Sequence, residues 1–233
     1  MRRGLLTLAV LSLAAQEGAT LARPPVIVEL FTAQGCASCG KADAYESSLA
    51  AEKDVLPLTF AVDYWDYLGW KDTFAKPEFS DRQRAYDKRF GVAEVYTPQI
   101  VVDGRAQAPA VKTDDVDALV RTARHELQDA LYMRWRGAAV AVGGGGHPVG
   151  GAGIWLVRYD PRETSVVVKE GDNSGHTVAE RNVVVQLVRL GAWRGRPMLL
   201  NLPPAPQDGL KTVVIVQGDN GGKILGVLTQ PKP

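Results

Sequence analysis

The 233-residue chain carries 27 Lys+Arg against 26 Asp+Glu, a formal net charge of +1, with 45% hydrophobic and 23% charged residues. This ordinary globular balance excludes a disordered tail and a collagen-like chain, and without a basic excess nucleic acid is not expected as a partner. Two cysteines exclude a multi-disulfide scaffold, and the length allows one or two domains.

At the N-terminus, Arg2 and Arg3 precede an apolar run from Leu5 to Ala15, broken only by Thr7 and Ser12. Small residues follow at Ala19 and Ala22. A basic start, a short apolar core and small residues make residues 1–22 a secretory signal peptide, cleaved between Ala15 and Ala22. An uncleaved N-terminal anchor is the alternative, although the run falls short of the ~20 residues that span a bilayer. Without those residues the chain has 25 basic and 25 acidic side chains. No second stretch is long enough to cross a membrane, so no stable insertion is expected after cleavage. The expected location is the periplasm or the exterior, where a disulfide can persist.

Val26 to Phe31 is a β-branched run after Pro24-Pro25, a buried strand. Residues 36–50 then read as a helix, with Cys39, Ala42, Tyr45 and Leu49 on one face. Leu56 to Val62 is a second strand, and the aromatic, irregular stretch Asp63–Lys76 follows it. Ser80 to Phe90 is a polar helix closed by Gly91. Gln99 to Val102 is a third strand, and Asp103-Gly104 turns the chain into a fourth. Thr113 or Asp114 opens a last helix with Val116, Leu119, Val120, Ala123 and Leu127 on its apolar face. The order is β-α-β-α-β-β-α.

Near Leu131 the helical patterns stop and Gly-rich turns begin. Strands are expected at 137–142, 154–159, 165–170, 182–190, 198–202, 211–217 and 223–228. Short strands with such turns predict a β-sandwich. The chain is therefore divided into residues 1–22, an α/β domain at 23–130 and an all-β sandwich-like domain at 131–233. Two compact units that do not share a sheet are expected.

Both cysteines fall in one motif, Cys36-Ala37-Ser38-Cys39, directly after a strand and a turn. At the start of a helix, free N–H groups and partial positive charge stabilise a thiolate on Cys36 and make it a nucleophile. Cys36 is expected to be exposed, with Cys39 one turn on, buried and placed to resolve a mixed disulfide. A static local disulfide is the alternative. Metal is not expected, because a structural zinc site needs two further ligands and His125, His147 and His176 show no ligand spacing. No cofactor is expected.

The motif, its place after the first strand and the element order resemble the thioredoxin superfamily over residues 26–130. Phe31-Thr32 followed by Gly35-Cys36 looks like the glutaredoxin-type start. Thr97-Pro98-Gln99 stands where that superfamily has a cis-proline beside its cysteines, and the resemblance implies that Thr97 and Pro98 help to bind substrate. Ala37-Ser38 matches neither thioredoxin nor the periplasmic oxidants, so the redox direction stays open. A closer resemblance is to a bacterial family of secreted thioredoxin-like proteins of undefined function. It is carried by residues 28–32, 35–39, 62–72 and 95–104, and continues into Gly171-Asp172-Asn173-Ser174-Gly175 and Asn182-Val183-Val184. That family usually has Pro-Pro after the second cysteine; here Gly40-Lys41 stands there. Lys41 can favour a thiolate on Cys39 or stand as a solvated surface lysine.

Glu29 interrupts the apolar first strand. The superfamily resemblance implies an acid beneath the second cysteine that exchanges protons with it; outward pointing, or pairing with an Arg, is the other reading. Asp63–Asp72 packs two Trp and two Tyr. It forms either a satellite aromatic core or a groove in which Trp65 contacts an extended partner. His176 follows the GDNSG turn, either near the thiols or on the surface. The expectation is exported thiol–disulfide exchange with a protein or small-molecule thiol or disulfide, Cys36 attacking and Cys39 resolving. The other reading is a non-catalytic secreted binding protein that uses the fold as a scaffold.

Overall fold

The computed structural model describes residues 23–126, 130–146 and 148–231. The expected signal peptide, Leu127 and His147 lie outside them.

Strand β1 (Val26–Thr32) is buried along its whole length, which places it in the middle of a sheet. Its alternate side chains feed two cores: Ile27 and Phe31 face one way, and Val26, Val28 and Leu30 the other. β2 (Val55–Ala61) pairs parallel to it, Ile27 opposite Leu56. β3 (Gln99–Val102) pairs antiparallel on the other side, and β4 (Ala106–Pro109) follows β3 through a turn. Helices α1 (Cys39–Leu49) and α3 (Thr113–Glu126) cover the Val28 face. Helix α2 (Pro77–Phe90) covers the opposite face with Phe79 and Tyr86. The expected βαβαββα order is present. α2 begins three residues earlier than its polar pattern predicted, because Pro77 occupies the first turn, where its missing N–H costs nothing.

The second half adds β5 (Met133–Arg136), β6 (Ala139–Val142), β7 (Ala152–Asp160), β8 (Thr164–Val167), β9 (Thr177–Glu180), β10 (Val183–Trp193), β11 (Met198–Asn201), β12 (Lys211–Gly218) and β13 (Ile224–Thr229). The strands at Met133 and Thr177 were not expected. Nor do the two halves keep separate sheets. One eight-stranded sheet runs β13-β12-β7-β10-β2-β1-β3-β4, beside the smaller sheets β11-β6-β5 and β8-β9.

The junction lies at the free edge of β2. The Thr59 N–H donates to the Asn182 carbonyl at 3.1 Å, and the Asn182 side chain donates to the Pro57 carbonyl at 2.9 Å. Only Val183 opposite Thr59 continues the parallel pairing. Pro57 lies two residues away on the same edge and has no N–H to offer, which limits the contact. Of the new strands, β7 and β12 are buried on both faces along their middles. Ile154, Leu156, Val214 and Val216 pack toward the β11-β6-β5 sheet. Val157, Val213 and Ile215 join Phe31, Phe60 and Tyr86 in a core that spans both halves.

The turn between β12 and β13 seats directly on α2. Gly221 has φ +68°, and a Cβ there would lie 2.8 Å from the Ala85 carbonyl oxygen. Gly221→Ala is therefore expected to cost roughly 2 kcal/mol, from backbone strain plus a clash with main chain. Urea unfolding checks this; an unchanged midpoint would show that the turn is not held there.

Candidate functional site

Cys36 and Cys39 form a disulfide, with their Cα atoms 5.4 Å apart. The Cys36 N–H donates to Ala33, and the Cys39 N–H to Cys36. Helix α1 starts at Cys39, not at Cys36 as expected. The first cysteine thus sits in the turn before the helix. Its expected exposure is also corrected: both cysteines are 1% exposed, while Ala37 and Ser38 face solvent. The Ser38 hydroxyl lies 3.5 Å from the Cys36 sulfur.

Gln34, two residues before Cys36, organises this turn. Its N–H donates to Asp72 at 2.7 Å, and its amide Nε2 donates to Glu180 at 3.0 Å. Its Oε1 accepts from the Trp70 indole and from the N–H and hydroxyl of Thr73. From the β8–β9 loop, the Asn173 side-chain amide donates to the carbonyls of Gln34 at 2.8 Å and Cys36 at 2.9 Å. The aromatic stretch after β2 and a loop from the second half therefore both close on the disulfide turn. Gln34 and Glu180 were not singled out from the sequence, and Asp72 and Asn173 stood only in the stretches that carry the resemblance, with no role at the disulfide. Their role rests on contacts across up to 146 residues. The available signals were the 62–72 stretch and the GDNSG turn in the resemblance.

Trp65 and Thr97 meet: the indole donates to the Thr97 hydroxyl at 2.8 Å. A Cβ at Gly35 would lie 3.8 Å from that of Trp65, so the tryptophan flanks the disulfide turn. The Thr97–Pro98 bond is cis, as the resemblance implied, and Pro98 is buried. Tyr67 projects outward at 79% exposure.

Glu29 is fully buried, yet its carboxylate is committed elsewhere. Arg82 binds both its oxygens, at 2.5 and 2.9 Å, and the Tyr86 hydroxyl donates at 2.6 Å. This is the pairing with an arginine that the sequence also allowed. Arg82 further donates to Gln217, which joins the network to β12.

Other carboxyls crowd the back of α1. Asp43 and Glu46 follow Cys39 on its buried face, and Glu180 approaches from β9. Burial pushes Asp43 up to about 7, against the Thr32 hydroxyl that donates to it. Burial, then the charges of Asp43 and Asp72, push Glu180 up to about 8. Glu46 rises well above the usual range through burial and Asp43. Neither Glu46 oxygen, nor Asp43 Oδ2, nor Glu180 Oε1 accepts a hydrogen bond. These groups are stable there chiefly as neutral acids.

Among the described residues no three His, Cys, Asp or Glu side chains come together as a metal site. His176 is an exposed turn residue and Lys41 a solvated one. No described helix is long and apolar enough to cross a membrane.

The sequence profile of the family described as Protein of unknown function (DUF1223) matches residues 27–217. A search of curated proteins finds no match. Among solved structures, protein AGR_C_4864 from Agrobacterium tumefaciens is similar at 29% identity and a TM-score of 0.70, over 89% of this chain and 97% of that one. HBP35 of Porphyromonas gingivalis shares the fold at 12% identity and a TM-score of 0.52, over 89% of this chain and 75% of that one.

Proposed function

The chain belongs to the family described as Protein of unknown function (DUF1223), and for this member we propose exported thiol–disulfide exchange at Cys36–Cys39. The carrying observation is that the only two cysteines are joined in the turn that opens α1, and that Trp65 lies against this turn at Gly35 and donates to Thr97 of the cis Thr97–Pro98 bond. A substrate thiolate attacks the Cys36 sulfur. Its S–S bond to Cys36 forms as the Cys36–Cys39 bond breaks, and Cys39 leaves as a thiolate that takes up a proton. A second substrate thiolate then attacks the substrate sulfur and releases Cys36. The substrate is oxidised to a disulfide and the protein is reduced by two electrons. A second disulfide, reversing these steps, completes the turnover. Asp43, one turn beyond Cys39 with a free Oδ2, is the better candidate for the proton exchange that the resemblance assigned to Glu29. Trp65 and Thr97 flank the approach, and residues 131–233 act as an added β-region.

The burial of both cysteines favours a second reading, a binding protein with a permanent disulfide. Replacing Cys39 with Ser separates them. The reduced variant is expected to trap mixed disulfides on Cys36, seen by mass spectrometry, while Cys36→Ser traps none. A wild-type disulfide that yields to dithiothreitol only on unfolding, together with no trapped partner, would favour the scaffold.

A further inference from the structure

The buried disulfide has to be reached, and one loop from the second half is hydrogen-bonded to the turn that carries it. Residues 168–176 connect β8 to β9 and are closed at their base by hydrogen bonds from Val168 to His176 and from Gly175 to Val168. Gly171 and Gly175 both have positive φ, +78° and +80°, conformations in which only glycine is unstrained. Asp172, Ser174, Gly175 and His176 at the tip of the loop are exposed, while Val168 at its base is fully buried. Asn173 donates to Gln34 and Cys36, and Gly171 rests against Leu68 and Trp70.

A side-chain carboxamide is the chemical copy of a peptide amide. The two N–H bonds of Asn173 thus occupy carbonyls that an extended peptide beside the disulfide would otherwise engage. We propose that the 168–176 loop is a gate over Cys36, latched by Asn173 as a surrogate peptide amide, and that it makes the site selective for peptide thiols over small thiols. A peptide supplies backbone N–H donors for the carbonyls that Asn173 leaves, so opening the gate leaves no buried acceptor unpaired. A small thiol brings no such donor and must open the gate without that compensation. Asn173 is on this account a positioning residue, not a catalytic one. The proposal rests on the thiol–disulfide reading, because a peptide thiol is its substrate.

The test measures the rate at which the native disulfide is reduced, by dithiothreitol and by an eight-residue peptide carrying two cysteines. Asn173→Asp keeps the volume but cannot donate, and Asn173→Ala removes the amide. Both are expected to speed reduction by dithiothreitol by about tenfold or more, as loss of two hydrogen bonds allows. They should speed the peptide far less, so that the wild-type preference for peptide narrows. Asp172→Ala, on the exposed side of the loop, should change neither rate. Should the variants fail to fold, hydrogen exchange on the wild type still decides: peptide binding should raise the exchange of amides 168–176. Unchanged dithiothreitol rates in folded variants, or loop amides that do not respond to peptide, overturn the gate. The readout is stoichiometric reduction, so a gate without any catalytic turnover would sink the exchange reading and leave the gate standing.

Discussion

Glu29→Gln is expected to destabilise the protein by about 3–5 kcal/mol, the usual consequence of removing one partner from a buried ion pair. The substitution keeps the shape of the side chain and removes its charge. Arg82, 6% exposed at its side chain, would then hold an uncompensated cation between Phe60, Tyr86 and Trp155. Its contacts to Gln217 and Tyr86 would not replace the lost carboxylate, because both are neutral. The urea midpoint should fall accordingly. The reverse single change, Arg82→Met, should fall as far, since it strands the Glu29 charge. The double variant Glu29→Leu, Arg82→Met should recover much of the loss, because it removes both desolvation penalties together. A proton-exchanging acid would behave otherwise. Glu29→Gln would then leave the midpoint in place and slow only the exchange reaction. That pattern would return Glu29 to the role first expected of it.

The second large effect is a loss of stability on raising the pH. Asp43 and Glu180 hold protons up to about 7 and about 8 in the folded protein, where burial opposes their charge. In the unfolded chain the same groups ionise near 4. Between those values the native state binds more protons than the unfolded state, so stability falls as pH rises. It is fully present below about 4 and lost by the time both groups have ionised, near 8. Asp72 and Glu46 shift in the same direction, and Asp103, raised to about 7 by burial, adds to it. Each tenfold change in a protonation equilibrium corresponds to about 1.4 kcal/mol, so a loss on the order of several kcal/mol is expected across this range. Urea midpoints at pH 5.0, 6.5 and 8.5 measure it. Asp43→Asn and Glu180→Gln imitate the neutral acids and should flatten the slope. Midpoints that rise toward pH 8.5 would mean that the cluster is ionised in the folded state. Asp43 and Glu46 share the buried face of α1 with Cys39, so the acids that set this pH dependence lie on the helix that carries the disulfide.

Several features of this protein were legible in the residue order alone. A β-branched run followed by a turn and two cysteines three apart determines a strand, a tight turn and a helix start, because each is a local matter of side-chain shape and backbone hydrogen bonding. The order of elements through Glu126 and the helix stop at Gly91 follow from the same local physics. What lay between distant segments was not legible. Val213-Val214-Ile215-Val216 is a continuous apolar run, which signals a strand covered on both faces rather than one side of a sandwich. Which strands it joins was not legible: β12 pairs with β7 and β13, and it is β10 that reaches the open edge of β2, where Thr59 meets Asn182. Glu29 shows the same limit. Its place in the first strand left burial and outward pointing both open, and only the fold brings Arg82 to it across 53 residues. The exposure of Cys36 was likewise decided by tertiary structure. A helix start is usually open to solvent, whereas here Cys36 is buried and Asn173, 137 residues away, hydrogen-bonds its carbonyl. Local propensity acts through neighbours in the chain, whereas burial and ion pairing act through neighbours in space, and those exist only once the sheet has assembled.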